Sequence, residues 1–237
     1  MKIMGTVLAL VLFVAISKSD EIVVHQVKGD VKVRSGVDED WQATAAGDEL
    51  KPHDSIRTGR KGSAVLLIRS KGDGGIISRK IKIPAEVLLD LSDVRDLSQE
   101  ELMLTLTMER VRASSYEWKS SELHIPNATV IHGEKPVAQA VLKADDKELA
   151  ALQMNGTKVL FAYGFYPTCA LKALRIMERF PSLHEKFEHR FMVAESLERS
   201  HLKGEALSEY VTLSSTDLTT EQRSAVQAKI ILLKKKG

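Results

Sequence analysis

The chain has a single cysteine, Cys169, so no disulfide can close within it and its fold must be held by packing alone. Aromatic residues make up only 5% of it, which argues against a surface built from ring platforms. An excess of one charge is missing too, since 34 Lys and Arg face 32 Asp and Glu. A nearly neutral chain does not hold a polyanion by bulk charge, so nucleic acid is not an expected partner. Long apolar runs are confined to Ile3–Ile16, shorter than the roughly 17–25 residues of a spanning helix.

Signatures of catalysis are equally scarce. Ser63 follows Gly62 but stands in no G-x-S-x-G elbow. Lys71–Gly75 is rich in glycine without the spacing or the following helix of a phosphate loop, and reads as a hairpin turn. In His184-Glu185-x-x-Glu188-His189, Glu188 occupies the position where a zincin needs its second histidine. His189 would sit about 140° round a helix from His184, so the segment reads as a solvated charged face. His25, His53, His124 and His132 form no ligand spacing, and Asp145, Asp146 and Glu148 suit an exposed helix start. No catalytic, cofactor-binding or metal residues are expected, and the protein is not expected to be an enzyme.

What is present begins with a leader-like start. Lys2, the apolar run and the small-residue exit Ala15-Ile16-Ser17 fit a signal peptide over residues 1–19, cleaved or kept as an anchor. Export to a periplasm or cell envelope is the expectation, with no transmembrane helix left after cleavage.

From Ile22 to Asp90 the apolar pattern is short and alternating. Val31 and Val33 follow a turn at Lys28-Gly29-Asp30, and Trp41 precedes a turn at Ala46-Gly47-Asp48. Ala64, Leu66 and Ile68 point one way and Val65 and Leu67 the other, which places that strand in the middle of a sheet. Ile76-Ile77, Ile81–Ile83 and Val87–Leu89 continue the series, so residues 20–114 read as a compact antiparallel β domain with a capping helix. That helix starts at a capping box, Ser98 and Glu101, stapled by Leu97 and Leu102. Leu102, Leu104, Leu106, Met108 and Val111 should face the β domain, with an end near Ala113. Residues 115–135, with Tyr116, Trp118, Pro126 and Gly133, read as an extended connection.

Residues 136–237 read as helices only. Segments follow from Pro136, over Glu148–Met154, Pro167–Phe180, Leu183–His201, Glu205–Leu213 and Thr219–Lys236, with Thr219 or Thr220 as the last cap. Short loops between them imply antiparallel hairpins. The fold class is therefore α+β: an N-terminal antiparallel β domain, sandwich or barrel-like, then a C-terminal all-α domain of helical hairpins.

The β segment resembles the FecR-like domain family over about Val27–Leu89. The residues that carry the likeness are Gly29, Val31, Val33, Trp41, Gly47, Leu50, Asp54, Ile56, Arg57, Thr58, Gly59, Ala64, Asp73 and Gly74. One position departs, with His53 where the family usually has glycine. The resemblance implies mainly structural roles: glycines in turns, Asp54 accepting loop N–H groups, Trp41 and Ile56 in the core. Members best known by that name pass an iron-citrate signal to a sigma factor through a membrane span and an inward-facing tail. Neither is seen in this sequence, so iron signalling is not carried over. The helical part resembles degenerate tetratricopeptide repeats, through Gly164, Tyr166, Cys169, Ala173, Ile176 and Pro181, then Ala194, Leu197, Ala206, Tyr210 and Leu213. A plain helical bundle is the competing reading.

Both likenesses imply a non-catalytic exported protein that binds a protein or peptide partner of the envelope, without cofactors. The alternative is a module for carbohydrate or peptidoglycan, with Trp41, Tyr116 or Trp118 stacking on a cell-wall glycan.

Overall fold

The computed structural model describes residues 21–36, 40–72, 75–118 and 144–235. The expected leader at 1–19, Asp73 and Gly74, the connection from 119 to 135 and the helix start at Pro136 lie outside the described residues.

Alternating apolar residues generate eight strands: β1 (Glu21–Lys28), β2 (Val31–Ser35), β3 (Gln42–Ala43), β4 (Glu49–Leu50), β5 (Asp54–Thr58), β6 (Ser63–Gly72), β7 (Gly75–Ile83) and β8 (Leu88–Asp90). They form two antiparallel sheets, ordered β4-β1-β6-β7 and β3-β2-β5-β8. Ile22, Val24, Ala64, Leu66, Ile68, Ile81 and Ile83 from the first sheet share one core with Val31, Ile56 and Leu89 from the second. Two faced sheets make this a sandwich rather than a closed barrel. β6 lies inside its sheet, between β1 and β7, with Val65 and Leu67 half-buried on its other face. Gly29 sits where β1 gives way to β2, which belongs to the other sheet. Its φ is +70°, and a Cβ there would lie 2.3 Å from the Lys61 carbonyl oxygen, so only glycine fits.

Six α-helices follow among the described residues: α1 (Gln99–Trp118), α2 (Ala144–Ala162), α3 (Tyr166–Arg179), α4 (Phe187–Arg199), α5 (Lys203–Ser214) and α6 (Thr220–Lys235). The Ser98 hydroxyl caps α1 by accepting from the Glu101 N–H at 3.1 Å. Thr219 caps α6 reciprocally, its hydroxyl accepting from the Gln222 N–H at 3.2 Å while its own N–H donates to Gln222 Oε1 at 3.1 Å.

Three expectations change. α1 runs on to Trp118 because no Gly or Pro interrupts it after Ala113, so Tyr116 and Trp118 belong to a helix and not to an extended connection. α1 packs chiefly on α3, burying Leu102 and Leu106, while Leu104 and Met108 are each 62% exposed. The face it buries is thus narrower than the pattern implied, and the helix does not lie mainly on the β domain. Finally, Pro181–Leu183 forms a separate 3-10 turn, and α4 begins only at Phe187.

Each helix from α2 to α6 packs mainly on its neighbours in the chain. Gly164 stands in the turn after α2 with φ +86°, and Tyr166, Cys169, Ala173 and Ile176 all lie on α3 alone. Small residues mark the contacts: Cys169, Ala170, Ala173, Ala194 and Ala206 are all fully buried. The β and helical parts share one continuous core. α2 docks on β8, and three polar ties from α2, the turn after it and α3 join the helices to the β part around that contact. Asn155 Nδ2 donates to the Glu86 carbonyl at 2.8 Å, the Lys82 N–H donates to the Tyr163 hydroxyl at 2.8 Å, and the Thr168 hydroxyl donates to the Arg95 carbonyl at 3.0 Å.

Candidate functional site

Strand alternation decides what the second sheet shows on its outer side. With Val31, Ile56 and Leu89 turned inward, their neighbours must turn outward. Register then lines up Arg34, Ser55 and Asp90 across β2, β5 and β8 as one rung, and Lys32, Arg57 and Leu88 as the next. In an isolated sandwich this face would be bathed in water. Here α2 and the end of α3 stand beside it and convert it into the floor of a cleft of about 770 Å³. Glu148, Leu149, Leu152 and Gln153 of α2 form one wall, and Arg179, Trp41 and His53 close the ends.

Cationic groups dominate the cleft. The Arg34 guanidinium lies 4.8 Å from the centre of the Trp41 ring, and the Arg179 guanidinium lies 5.2 Å from that of Phe180. Arg57 reaches Glu148 at 3.3 Å, with both side chains largely exposed. Asp90 accepts a hydrogen bond from the Ser55 hydroxyl at 2.6 Å and is paired from behind with Lys172. Lys172 also reaches Asp93 at 2.8 Å, tying α3 to β8 and the turn after it. Burial by itself would raise Asp90, but Lys172, Ser55 and Arg34 outweigh it and hold its carboxyl below the usual value. Asp93 is more deeply buried, and there desolvation wins over Lys172 and raises it. Lys172, between the two, is raised by their charges against the opposing effect of burial.

The residues read from sequence separate into two groups. Val31, Leu50, Ile56, Thr58 and Ala64 are buried, Val33 is half-buried and packed on the core, and Gly29 and Gly47 have positive φ. Gly59 stands against Asp30, and Thr58 fixes the loop before β8, its hydroxyl donating to the Pro84 carbonyl at 2.7 Å and accepting from the Val87 N–H at 3.0 Å. Asp54 accepts the Lys51 N–H at 2.7 Å and the Ser35 hydroxyl at 2.8 Å, the loop-tying role expected of it. Asp73 and Gly74 are outside the described residues. Two of the motif residues line the cleft. Arg57 is on its floor, and Trp41, just before β3, is half-buried at its edge instead of sealed in the core, its ring lying against the outward-facing Arg34. Arg34, Asp90, Lys172 and Arg179 were not singled out from sequence. The alternation of charged with apolar residues along β2 marked the face of Arg34 alone, since Asp90 is on β8 and Lys172 and Arg179 are on α3.

A second, smaller groove of about 360 Å³ runs between α1, α3 and α5. Leu106, Leu171, Leu174 and Leu197 line it, with Glu178 and Glu205 at its rim. Of the histidine pair weighed for metal binding, His184 is exposed but His189 is buried, correcting the solvated face expected there. Burial lowers the His189 pKa against the opposing effect of the Leu183 backbone. No group of ligand-type residues spaced for a metal ion occurs among the described residues. Nor is any described helix long and apolar enough to cross a membrane.

Cys169 is fully buried, its thiol donates to the Thr157 carbonyl at 3.3 Å, and burial pushes its pKa up to about 12. The native thiol should therefore react with iodoacetamide at pH 8 on the order of a thousandfold more slowly than an open cysteine, and fully in denaturant. Rapid labelling of the native protein would show that the α2–α3 contact opens.

Comparisons with protein-family models, with curated proteins and with solved structures find no match.

Proposed function

We propose that the protein is a non-catalytic exported binding module of the bacterial cell envelope, a FecR-like domain joined to tetratricopeptide-like helices, that holds a protein partner. The observation that carries this reading is the cleft between them. Its floor comes from the sheet and its wall from α2, so neither part has the site alone. Its size lies within the roughly 300–1,000 Å³ of typical ligand sites. Its polar residues are built for holding: Asp90 is occupied by Lys172 and Ser55, and the guanidinium groups are permanent charges that take no part in proton transfer at neutral pH. The helical groove offers a second contact surface for the same partner.

Cross-linking followed by affinity capture from envelope extracts tests the reading. Wild-type protein should retain a specific partner that Arg34→Glu/Arg57→Glu loses while keeping the same thermal midpoint within about 2 °C. Retention of the same partner by that variant would remove the cleft from the interaction.

The half-buried ring of Trp41 at the cleft edge favours a second reading, a peptidoglycan- or carbohydrate-binding module. Sedimentation with purified cell wall, abolished by Trp41→Ala, would establish it in place of the first.

A further inference from the structure

We infer that the cleft receives an extended acidic peptide segment, with carboxylates at alternate positions meeting Arg34 and Arg57 and a further one meeting Arg179. This rests on the cleft being the binding surface and names the chemistry of its occupant. Arg34 and Arg179 form no close ion pair with a carboxylate among the described residues, Arg34 acting on Asp90 only by its charge at longer range; each lies beside an aromatic ring. The acidic groups nearby do not cancel them. Three arginines line the cleft against two carboxylates, Asp90 and Glu148; Asp90 also shares Lys172 with Asp93, and Glu148 is an exposed side chain that a ligand carboxylate can displace from Arg57.

The spacing points to a strand. Arg34 stands opposite Ser55 and Arg57 opposite Lys32, so the two arginines are diagonal neighbours across β2 and β5. Such neighbours are about 7 Å apart, close to the interval of roughly 6.6 Å between every second residue of an extended chain. A lone small anion would engage one guanidinium, whereas a strand with acidic side chains on one edge can engage both in step, as bidentate pairs. Leu88, Leu149 and Leu152 line the same cleft and offer apolar contact to the segment's remaining side chains.

The experiment is calorimetric titration of the whole protein with capped synthetic octapeptides. One carries Glu at every second position between serines; another carries the same number of Glu in one block; a third replaces Glu with Lys; inorganic polyphosphate and a neutral muropeptide complete the set. The alternating Glu peptide should bind best, with the block weaker by about threefold or more and the Lys peptide not binding. Arg34→Gln/Arg179→Gln should weaken it by about tenfold or more, as expected on losing charge-assisted hydrogen bonds. Glu148→Gln should tighten it by about twofold or more, because the competing carboxylate is gone. That gain cannot come from a damaged fold. Equal affinity for both Glu peptides, tighter binding of polyphosphate, or indifference to the arginine and Glu148 variants would overturn the inference. Failure of every acidic peptide, alongside a captured partner lost in Arg34→Glu/Arg57→Glu, would overturn the acidic segment and leave the cleft standing. Binding of the muropeptide, lost in Trp41→Ala, would overturn both.

Discussion

Lys172→Met is expected to lower stability by about 2–4 kcal/mol at pH 7, a fall in thermal midpoint of roughly 5–10 °C for a chain of this size. Lys172 is 19% exposed and stands between Asp90 and Asp93, whose side chains are 36% and 18% exposed. Removing it leaves two neighbouring carboxylates, partly out of water, with no cation between them. The partial exposure of Asp90 is why the figure sits below the range for a fully buried pair. The pH dependence carries the signature. In the wild type, Asp90 is lowered, so its contribution is present above the ordinary carboxylate pKa and is lost as pH falls through its own; Asp93 is raised and works in the opposite sense. In the variant both carboxylates are raised, so the unfolded chain loses its protons first and stability falls as pH climbs from about 4 toward 7. The deficit should therefore be small near pH 3.5 and widest at neutral pH. Adding Asp90→Asn and Asp93→Asn to the variant should restore most of the loss. A deficit that does not change with pH, or one under about 1 kcal/mol, would contradict this account of the triad.

The triad also marks what the sequence could and could not disclose. Alternation along 22–90 was legible because each strand buries one face, and the period-two pattern is written directly into Ala64, Leu66 and Ile68. The helix starts at Ser98 and Thr219 were legible because caps are local chemistry. Contacts between distant elements were not. Lys172 lies 82 residues from Asp90, and nothing in either neighbourhood announces the other. The cleft was hidden for the same reason. Arg34 and Arg57 have the positions of solvated outer-face residues, and only the docking of α2 on β8 turns them into a floor. Trp41 was assigned to the core by its place in a family pattern, yet the outward-facing Arg34 draws it to the edge. Leu104 and Met108 matched a helical stripe that α1 leaves exposed, because α3 covers only the side with Leu102 and Leu106. His189 ran the other way, a polar residue that α4 buries.

Two helical glycines should respond to alanine with opposite signs, and the larger effect tests the joint between sheet and helices. Alanine in a helix interior is ordinarily worth up to about 1 kcal/mol over glycine. Gly204, the second residue of α5, has nothing within 4 Å of where a Cβ would stand, so Gly204→Ala should stabilise by roughly a few tenths of a kcal/mol. Gly156 is in the middle of α2, and a Cβ there would lie 2.3 Å from the Leu88 carbonyl oxygen and 3.6 Å from the Leu89 Cα. Both atoms are backbone of β8, held in its sheet by pairing with β5, so they cannot turn aside as a side-chain tip would. α2 must move instead, which stretches the Asn155 bond to Glu86 and loosens Met154, buried two residues away. Overpacking of this kind costs about 1–3 kcal/mol, enough to reverse the propensity gain. The same movement shifts Glu148, Leu149 and Leu152, so Gly156→Ala should also weaken whatever the cleft holds, whereas Gly204→Ala should not. Chemical denaturation of the two variants decides it. If both gain stability, α2 is not seated on β8, and the cleft whose wall it forms does not exist in that shape.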